Sequence, residues 1–229
     1  RIDYELEQFS ALGRVIKKGD VITVDGATGQ VLAGAADMIQ PEMSGNFATL
    51  MTWADSARTL GIRANAETPL DAQTAKDFGA QGIGLCRTEH MFFEASRLGY
   101  FREMILAHDQ AGRVAALSKI LPVQRSDFAA IFRIMEERPC TIRLLDPPLH
   151  EFLPHGEADV KAVSEATGIA ASELMARSKE LHESNPMLGH RGCRLGISYP
   201  EIYEMQARAI FESQAQVKSE TGFNPIAEV

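Results

Sequence analysis

Three arginines stand where short apolar β-runs end. They are Arg63 in Ile62-Arg63-Ala64-Asn65, Arg87 in Leu85-Cys86-Arg87-Thr88-Glu89, and Arg143 in Thr141-Ile142-Arg143-Leu144-Leu145. A guanidinium stays charged when water is removed, and its planar fork grips carboxylate or phosphate oxygens two at a time. Each charge-assisted hydrogen bond to such a ligand contributes ~1.5–3 kcal/mol. Three arginines converging on one rim would suit a small ligand with two anionic groups, and a small phosphorylated acid is the natural candidate. The same spacing suits a structural role, in which each arginine pairs with a nearby acid such as Glu89 or Asp146 and holds a loop. Spacing leaves both open.

Other reactive residue types are less pointed. Cys86 and His90 are spaced as Cys-x3-His, but no second pair accompanies them, so no structural zinc site is expected. Strand alternation turns Cys86 away from Arg87, as a small buried hydrophobe. His90 directly follows Glu89 and fits a hydrogen-bonded loop residue. His150, His155, His182 and His190 share no metal-ligand spacing. The glycine-rich run Asn185-Pro186-Met187-Leu188-Gly189-His190-Arg191-Gly192 suits either an anion-wrapping loop or a tight turn.

Positioning these residues falls to an alternation of strands and helices. Val21–Val24 and Gln30–Ala33 flank the turn-rich Asp25-Gly26-Ala27-Thr28-Gly29, an expected hairpin. A lone hairpin is marginal in water, and no neighbouring sheet is evident. Residues 1 to about 36 therefore read as the tail of an earlier domain. Past Pro41, Phe47, Leu50, Met51, Ala54 and Ala57 form one apolar helical stripe. A short strand is expected at Ile62–Ala66, a helix from Pro69 to Lys76, and a buried strand at Gly82–Arg87. Helices follow over roughly Glu94–Leu117 and Ser126–Glu137, the second ended by Pro139. A third strand is expected at Cys140–Leu145, then an acidic helical excursion through Glu183. A helix from Pro200 to Glu220 presents Ile202, Met205, Ala209 and Ile210 on one face, and Pro225–Val229 starts a fourth strand.

Three to four β-then-α units in a row imply parallel strands joined by helical crossovers. With no glycine-rich dinucleotide fingerprint, the pattern predicts an α/β chain holding part of a (β/α)8 TIM-type barrel, its first three to four strands. The expected division is a β-hairpin tail over residues 1–40 and the amino-terminal half of a barrel over 41–229. An open strand edge would favour self-association.

Length and composition bound the rest. The chain has 229 residues, 45% hydrophobic and 24% charged, which excludes a wholly disordered chain or a disulfide miniprotein. Its 23 Lys and Arg against 31 Asp and Glu give a net charge of −8, a field that repels nucleic acid and anionic lipid. An anionic ligand therefore needs a local cluster of cations. Three widely spaced cysteines, Cys86, Cys140 and Cys193, fit reduced thiols in the cytoplasm. No apolar run nears the ~18–20 residues of a membrane span, and the charged first residues are unlike a signal peptide.

The segment Gly84-Leu85-Cys86-Arg87-Thr88-Glu89-His90-Met91-Phe92 resembles the signature of the phosphoenolpyruvate-utilising enzymes, most nearly the pyruvate phosphate dikinase branch. Ile62-Arg63-Ala64-Asn65-Ala66-Glu67-Thr68-Pro69 is similar to that family's first barrel strand. Asn185–Gly192 is similar as well, and Gly19–Gly29 resembles the end of its swivelling phosphohistidine domain. The most discriminating stretch is Leu144-Leu145-Asp146-Pro147-Pro148-Leu149-His150-Glu151-Phe152-Leu153-Pro154, unlike the glycine-rich run of the sugar-phosphotransferase enzyme I.

The resemblance implies binding of phosphoenolpyruvate and pyruvate, with ATP and AMP in a domain not present here. It implies Arg63 and Arg87 on the ligand's phosphate and carboxylate, with Arg143 as an auxiliary contact or orienter. The family's phosphohistidine is expected before Arg1; its Mg2+ carboxylates and proton-donating cysteine are expected beyond Val229. No catalytic or metal-ligating residue is therefore assigned in this chain, which alone is not expected to turn over. A homodimer of the parent enzyme is implied. The competing readings are a phosphoenolpyruvate synthase or enzyme I fragment, and a half-barrel serving only dimerisation or regulation.

Overall fold

The computed structural model describes residues 2–38, 44–92, 95–154, 156–182, 185 and 187–229. The chain divides into two compact units, Arg1–Ala57 and Arg58–Val229. The 40/41 boundary expected from sequence, the expected helix start at Glu94, His155, Glu183 and Pro186 lie outside the described residues.

In the first unit β1 (Ile2–Asp3), β2 (Gln8–Ala11) and β3 (Arg14–Lys17) form an antiparallel sheet in that order. This sheet was not expected from sequence, and the expected hairpin that follows it does not join it. Ala11 pairs with Arg14, so Leu12 and Gly13 alone make the turn, at φ 50° and 77°. A leucine in left-handed backbone is not a turn signal, which hid this hairpin from the sequence reading. The expected second hairpin is present as β4 (Ile22–Asp25) and β5 (Gln30–Ala33). Asp25 closes its loop by accepting from the Thr28 hydroxyl at 2.7 Å and the Ala27 N–H at 2.9 Å. Those bonds hold its carboxyl below the ordinary range. Helix α1 (Gly45–Ala57) forms where the apolar stripe predicts it, yet Phe47, Leu50 and Trp53 are exposed.

The second unit is an α/β layer. Its elements are β6 (Ala64–Asn65), α2 (Pro69–Asp77), β7 (Ile83–Arg87), a 3-10 turn at Thr88–Phe92, α3 (Ala95–Leu106), α4 (Gln110–Met135) and β8 (Pro139–Arg143). A second 3-10 turn at Leu149–Phe152, α5 (Glu157–Thr167), α6 (Ala171–Leu181), α7 (Cys193–Ser198), α8 (Pro200–Thr221) and β9 (Ile226–Glu228) complete it. Among the described residues, β6-β7-β8-β9 is a parallel sheet in sequence order, with no reversal of strand order and no closed barrel.

Local chemistry sets these boundaries. Thr68 caps α2: its hydroxyl accepts the Asp71 N–H at 3.1 Å while the Asp71 carboxylate accepts the Thr68 N–H at 3.2 Å, with Pro69 in the first turn. The helix expected from Glu94 to Leu117 is instead two, because Asp109 caps a new start by accepting from Gly112 N–H at 2.8 Å. Helix α4 then runs through Pro122, where a break was expected from sequence. Its buried Leu117, Ile120, Phe128, Phe132 and Met135 hold it in place across the proline, whose usual cost is ~3 kcal/mol.

Two apolar clusters position the sheet. Ile83, Cys86, Cys140 and Ile142 face Ala72 of α2, Phe128, Phe132 and Met135 of α4, and Ala209, Ile210 and Val217 of α8. All three crossover helices thus cover one face of the sheet. A second cluster gathers Phe92, Phe101, Leu145, Leu149 and Phe152, pinning the segments that follow β7 and β8. Phe101 lies 4.7 Å from Phe92 and 4.4 Å from Phe152 between ring centroids. No described helix is long and apolar enough to cross a membrane.

Candidate functional site

The face of the sheet turned away from the helices carries charge. Along β8, Thr141 and Arg143 alternate with the core residues Cys140 and Ile142. Arg87 ends β7 and Arg143 ends β8, and the two are register partners in the parallel ladder. They therefore stand side by side at the carboxyl end of adjacent strands, as the sequence predicts. Cys86 is buried on the helix side, also as expected.

Arg63 is placed differently. It immediately precedes β6 instead of ending it. Its guanidinium donates to Thr141 Oγ1 at 3.1 Å and to both carboxylate oxygens of Glu228, one at 3.2 Å. The hydrogen bonds to Glu228 raise the Arg63 pKa, and Arg63 and Thr141 hold the Glu228 carboxyl below its usual range. Thr141 and Glu228 are themselves register partners. Arg63 thus ties β6 to β8 and β9, nearer the amino ends of the strands than Arg87 and Arg143. Its Cβ packs over Gly84, where an added methyl would come within 3.2 Å. The sequence offered no sign of this, because Glu228 is 165 residues away.

Each rim arginine is held by acids of the chain. Arg87 Nη1 lies 2.9 Å from Glu67. Arg143 pairs with Glu89 and, at 3.2 Å, with Asp146, the two partners that the structural alternative names. The Glu89 side chain is only 4% exposed. Asp146 also accepts from Arg191 at 2.6 and 3.3 Å, and these bonds raise the Arg191 pKa. Arg191 belongs to the glycine-rich run singled out by sequence, although its pairing could not be foreseen. The rim is therefore an alternating row of Glu89, Arg143, Asp146 and Arg191, with Arg87 and Glu67 beside it. A buried Glu89 oxygen and the Arg143 Nε have no hydrogen-bond partner among the described residues.

A cavity of about 650 Å3 opens here, lined by Leu85, Thr141, Arg143, Asp146, Cys193 and Tyr203 among others. Burial pushes the Tyr203 hydroxyl up to about 12, so it stays a neutral donor. The cavity's charged side chains are Arg143 and Asp146, set among apolar strand residues, and Arg87 stands outside the lining. Among the described residues, no three of His, Cys, Asp and Glu gather closely enough to hold a metal ion.

The cysteines separate by environment. Cys193 is exposed, whereas Cys86 and Cys140 are buried. Burial pushes the Cys140 thiol up to about 12 and raises Cys86 as well. Alkylation of the native chain near neutral pH is expected to add one group, on Cys193, by intact and peptide mass. Labelling of Cys86 or Cys140 before unfolding would contradict this burial.

Parallel strands with helices on one face, and two neighbouring arginines at the strands' carboxyl ends, define an α/β domain with a charged rim. The chain belongs to the family described as PEP-utilising enzyme, PEP-binding domain, which it matches over residues 41–228. Relatives named pyruvate, phosphate dikinase are similar along its whole length. The protein of Rhizobium meliloti (strain 1021) is 57% identical and that of Clostridium symbiosum 46%, each over 229 residues, all of this chain and 26% of the relative. The chloroplastic pyruvate, phosphate dikinase 1 of Arabidopsis thaliana is 53% identical over 93% of this chain and 22% of its own length. The chain spans about a quarter of the length of these relatives.

Proposed function

We propose that this chain is the phosphoenolpyruvate-binding portion of a phosphotransferase of the pyruvate, phosphate dikinase kind. Such an enzyme interconverts phosphoenolpyruvate, AMP and diphosphate with pyruvate, ATP and phosphate. The observation that carries the reading is the adjacent placement of Arg87 and Arg143 at the carboxyl end of parallel strands. The family resemblance implies Arg63 and Arg87 on the ligand's anionic groups and Arg143 as an orienter. The register supports a revised division: Arg87 and Arg143 face the ligand, while Arg63 braces the sheet beneath through Glu228 and Thr141.

Phosphoryl transfer needs little covalent help from a protein; it needs positioning and neutralised charge. Two forks side by side would neutralise the carboxylate and phosphate of one small molecule. Glu67, Glu89 and Asp146 keep the forks oriented before the ligand arrives, which lowers the ordering cost of binding. The ligand's oxygens then share or replace these carboxylates.

Finer parts of the reading extend beyond this chain. The one-sided helical layer supports the first half of a (β/α)8 barrel. The β-strands between Ile2 and Ala33 fit the end of a swivelling phosphohistidine domain, whose expected boundary at residues 40 and 41 falls inside the first compact unit, which runs to Ala57. Mg2+ would add charge neutralisation at the transferring group, but the described residues offer no complete site for it, and no step here depends on it. ATP and AMP would bind elsewhere in a longer cytoplasmic homodimer with no nucleic-acid or membrane partner.

Calorimetric titration tests the substrate class. Phosphoenolpyruvate is expected to bind about tenfold or more tightly than inorganic phosphate, because the carboxylate adds at least one charge-assisted bond, and pyruvate should compete. Equal affinity for the two phosphates would sink the reading.

A further inference from the structure

We propose that Gln206 is a positioning residue for the arginine rim, acting through Thr88. The inference rests on the proposed binding of phosphoenolpyruvate at that rim. Gln206 lies on α8 and is 1% exposed; Thr88 is 0% exposed. The Gln206 Oε1 accepts the Leu145 N–H at 2.8 Å, and its Nε2 donates to Thr88 Oγ1 at 3.0 Å. The Thr88 hydroxyl in turn donates to the Arg143 carbonyl at 2.9 Å. A hydroxyl has one proton to give, so donation to Arg143 obliges Thr88 to accept from the amide. That fixes the amide with its oxygen toward Leu145. The chain of bonds therefore runs in one direction only.

Its placement gives it a role beyond packing. Thr88 directly follows Arg87, and the bonds reach the carbonyl of Arg143 and the amide of Leu145. One side chain of α8 thus joins the two backbone segments that leave the sheet immediately after the paired arginines. One turn earlier on the same helix, the Tyr203 hydroxyl lies 2.7 Å from the Leu145 carbonyl and 3.0 Å from that of Gly192, next to Arg191. An apolar side chain of similar volume would fill the space without a buried amide's desolvation cost. It would leave the Leu145 N–H and the Thr88 hydroxyl free to settle differently. The amide instead specifies one separation between the two forks.

The test uses the 229-residue chain with Gln206→Met, Gln206→Glu, Thr88→Val and Thr88→Ser variants. Two measurements are made: calorimetric titration with phosphoenolpyruvate, and the arginine Nε–Hε resonances of the free chain. Gln206→Met and Thr88→Val are each expected to weaken binding about tenfold, one interrupted bond chain. The double variant should be no weaker than either single change, since both break the same chain. Thr88→Ser, which keeps the hydroxyl, should bind within about twofold of the parent. In Gln206→Glu the amide donor is lost, so the Arg87 and Arg143 resonances should move while that of Arg133, paired with Glu220, stays.

Lowered melting temperatures with unchanged affinity and unmoved arginine signals would overturn the proposal and leave Gln206 as core packing. If the parent chain fails to bind phosphoenolpyruvate yet the arginine signals still move, with rescue by Thr88→Ser, the functional reading fails and the positioning role stands.

Discussion

Replacing Arg143 by alanine is expected to weaken phosphoenolpyruvate binding about 100-fold or more, the loss of two charge-assisted hydrogen bonds at ~1.5–3 kcal/mol each. The substitution should also destabilise the fold, because Glu89 would keep a carboxylate that is 96% buried without its counter-ion. Removing one partner of a buried pair costs about 3–5 kcal/mol, and the effect here should fall below that because Arg143 is 36% exposed and partly screened. Combining Arg143→Ala with Glu89→Gln separates the two roles. The double variant should regain most of the stability in urea unfolding and none of the affinity. Recovery of binding together with stability would show that Arg143 only supports the loop.

Glu201→Ala is expected to cost about 3–5 kcal/mol of stability without touching the rim. Glu201 opens α8 and pairs with Arg113 of α4, with side chains 7% and 14% exposed. The Arg113 guanidinium also lies 4.3 Å from the centre of the Tyr199 ring, so it is held by a second contact that the substitution leaves in place. An uncompensated arginine between two packed helices is the source of the loss. Arg113→Met combined with Glu201→Leu should restore much of it, since an apolar pair removes the desolvation cost along with the attraction. A loss below about 1 kcal/mol for Glu201→Ala would mean that the pair is solvated.

Much of the second unit was legible in the sequence, for identifiable reasons. The parallel strands show as short apolar runs, with arginine at the ends of β7 and β8. Helix α2 shows in Thr68-Pro69 and α8 in the spacing of Ile202, Met205, Ala209 and Ile210, all four of which are buried. The local errors came from signals that tertiary packing overrides. A gap between helices was expected from Leu117 to Ser126, but α4 runs through it, held on both sides of Pro122 by buried side chains, including Ile120 and Phe128. The segment between Leu106 and Gln110 is only Ala107-His108-Asp109, and the Asp109 cap marks the new helix. In the first unit the Leu12-Gly13 turn carries its usual glycine but puts leucine where Asn, Asp or Gly ordinarily announces a turn.

The site was legible in its charges and hidden in its connections. Arg87 and Arg143 could be chosen from strand ends alone, because parallel pairing makes strand ends neighbours. Arg63 carries the same local signature, yet its partners come from β8 and β9. Gln206 had no sequence signal at all: a glutamine on an amphipathic helix is ordinary, and its partner Thr88 is 118 residues away. Long-range hydrogen bonds between different elements leave no periodicity to read.

The most direct test of the central claim is calorimetric titration of the chain with phosphoenolpyruvate, beside an Arg87→Ala chain whose fold is confirmed by circular dichroism. Saturable one-to-one binding by the parent chain and a loss of about 100-fold or more in Arg87→Ala is the predicted result. Equal binding by both chains, or none by the parent, would contradict the assignment of the arginine rim as the phosphoenolpyruvate site.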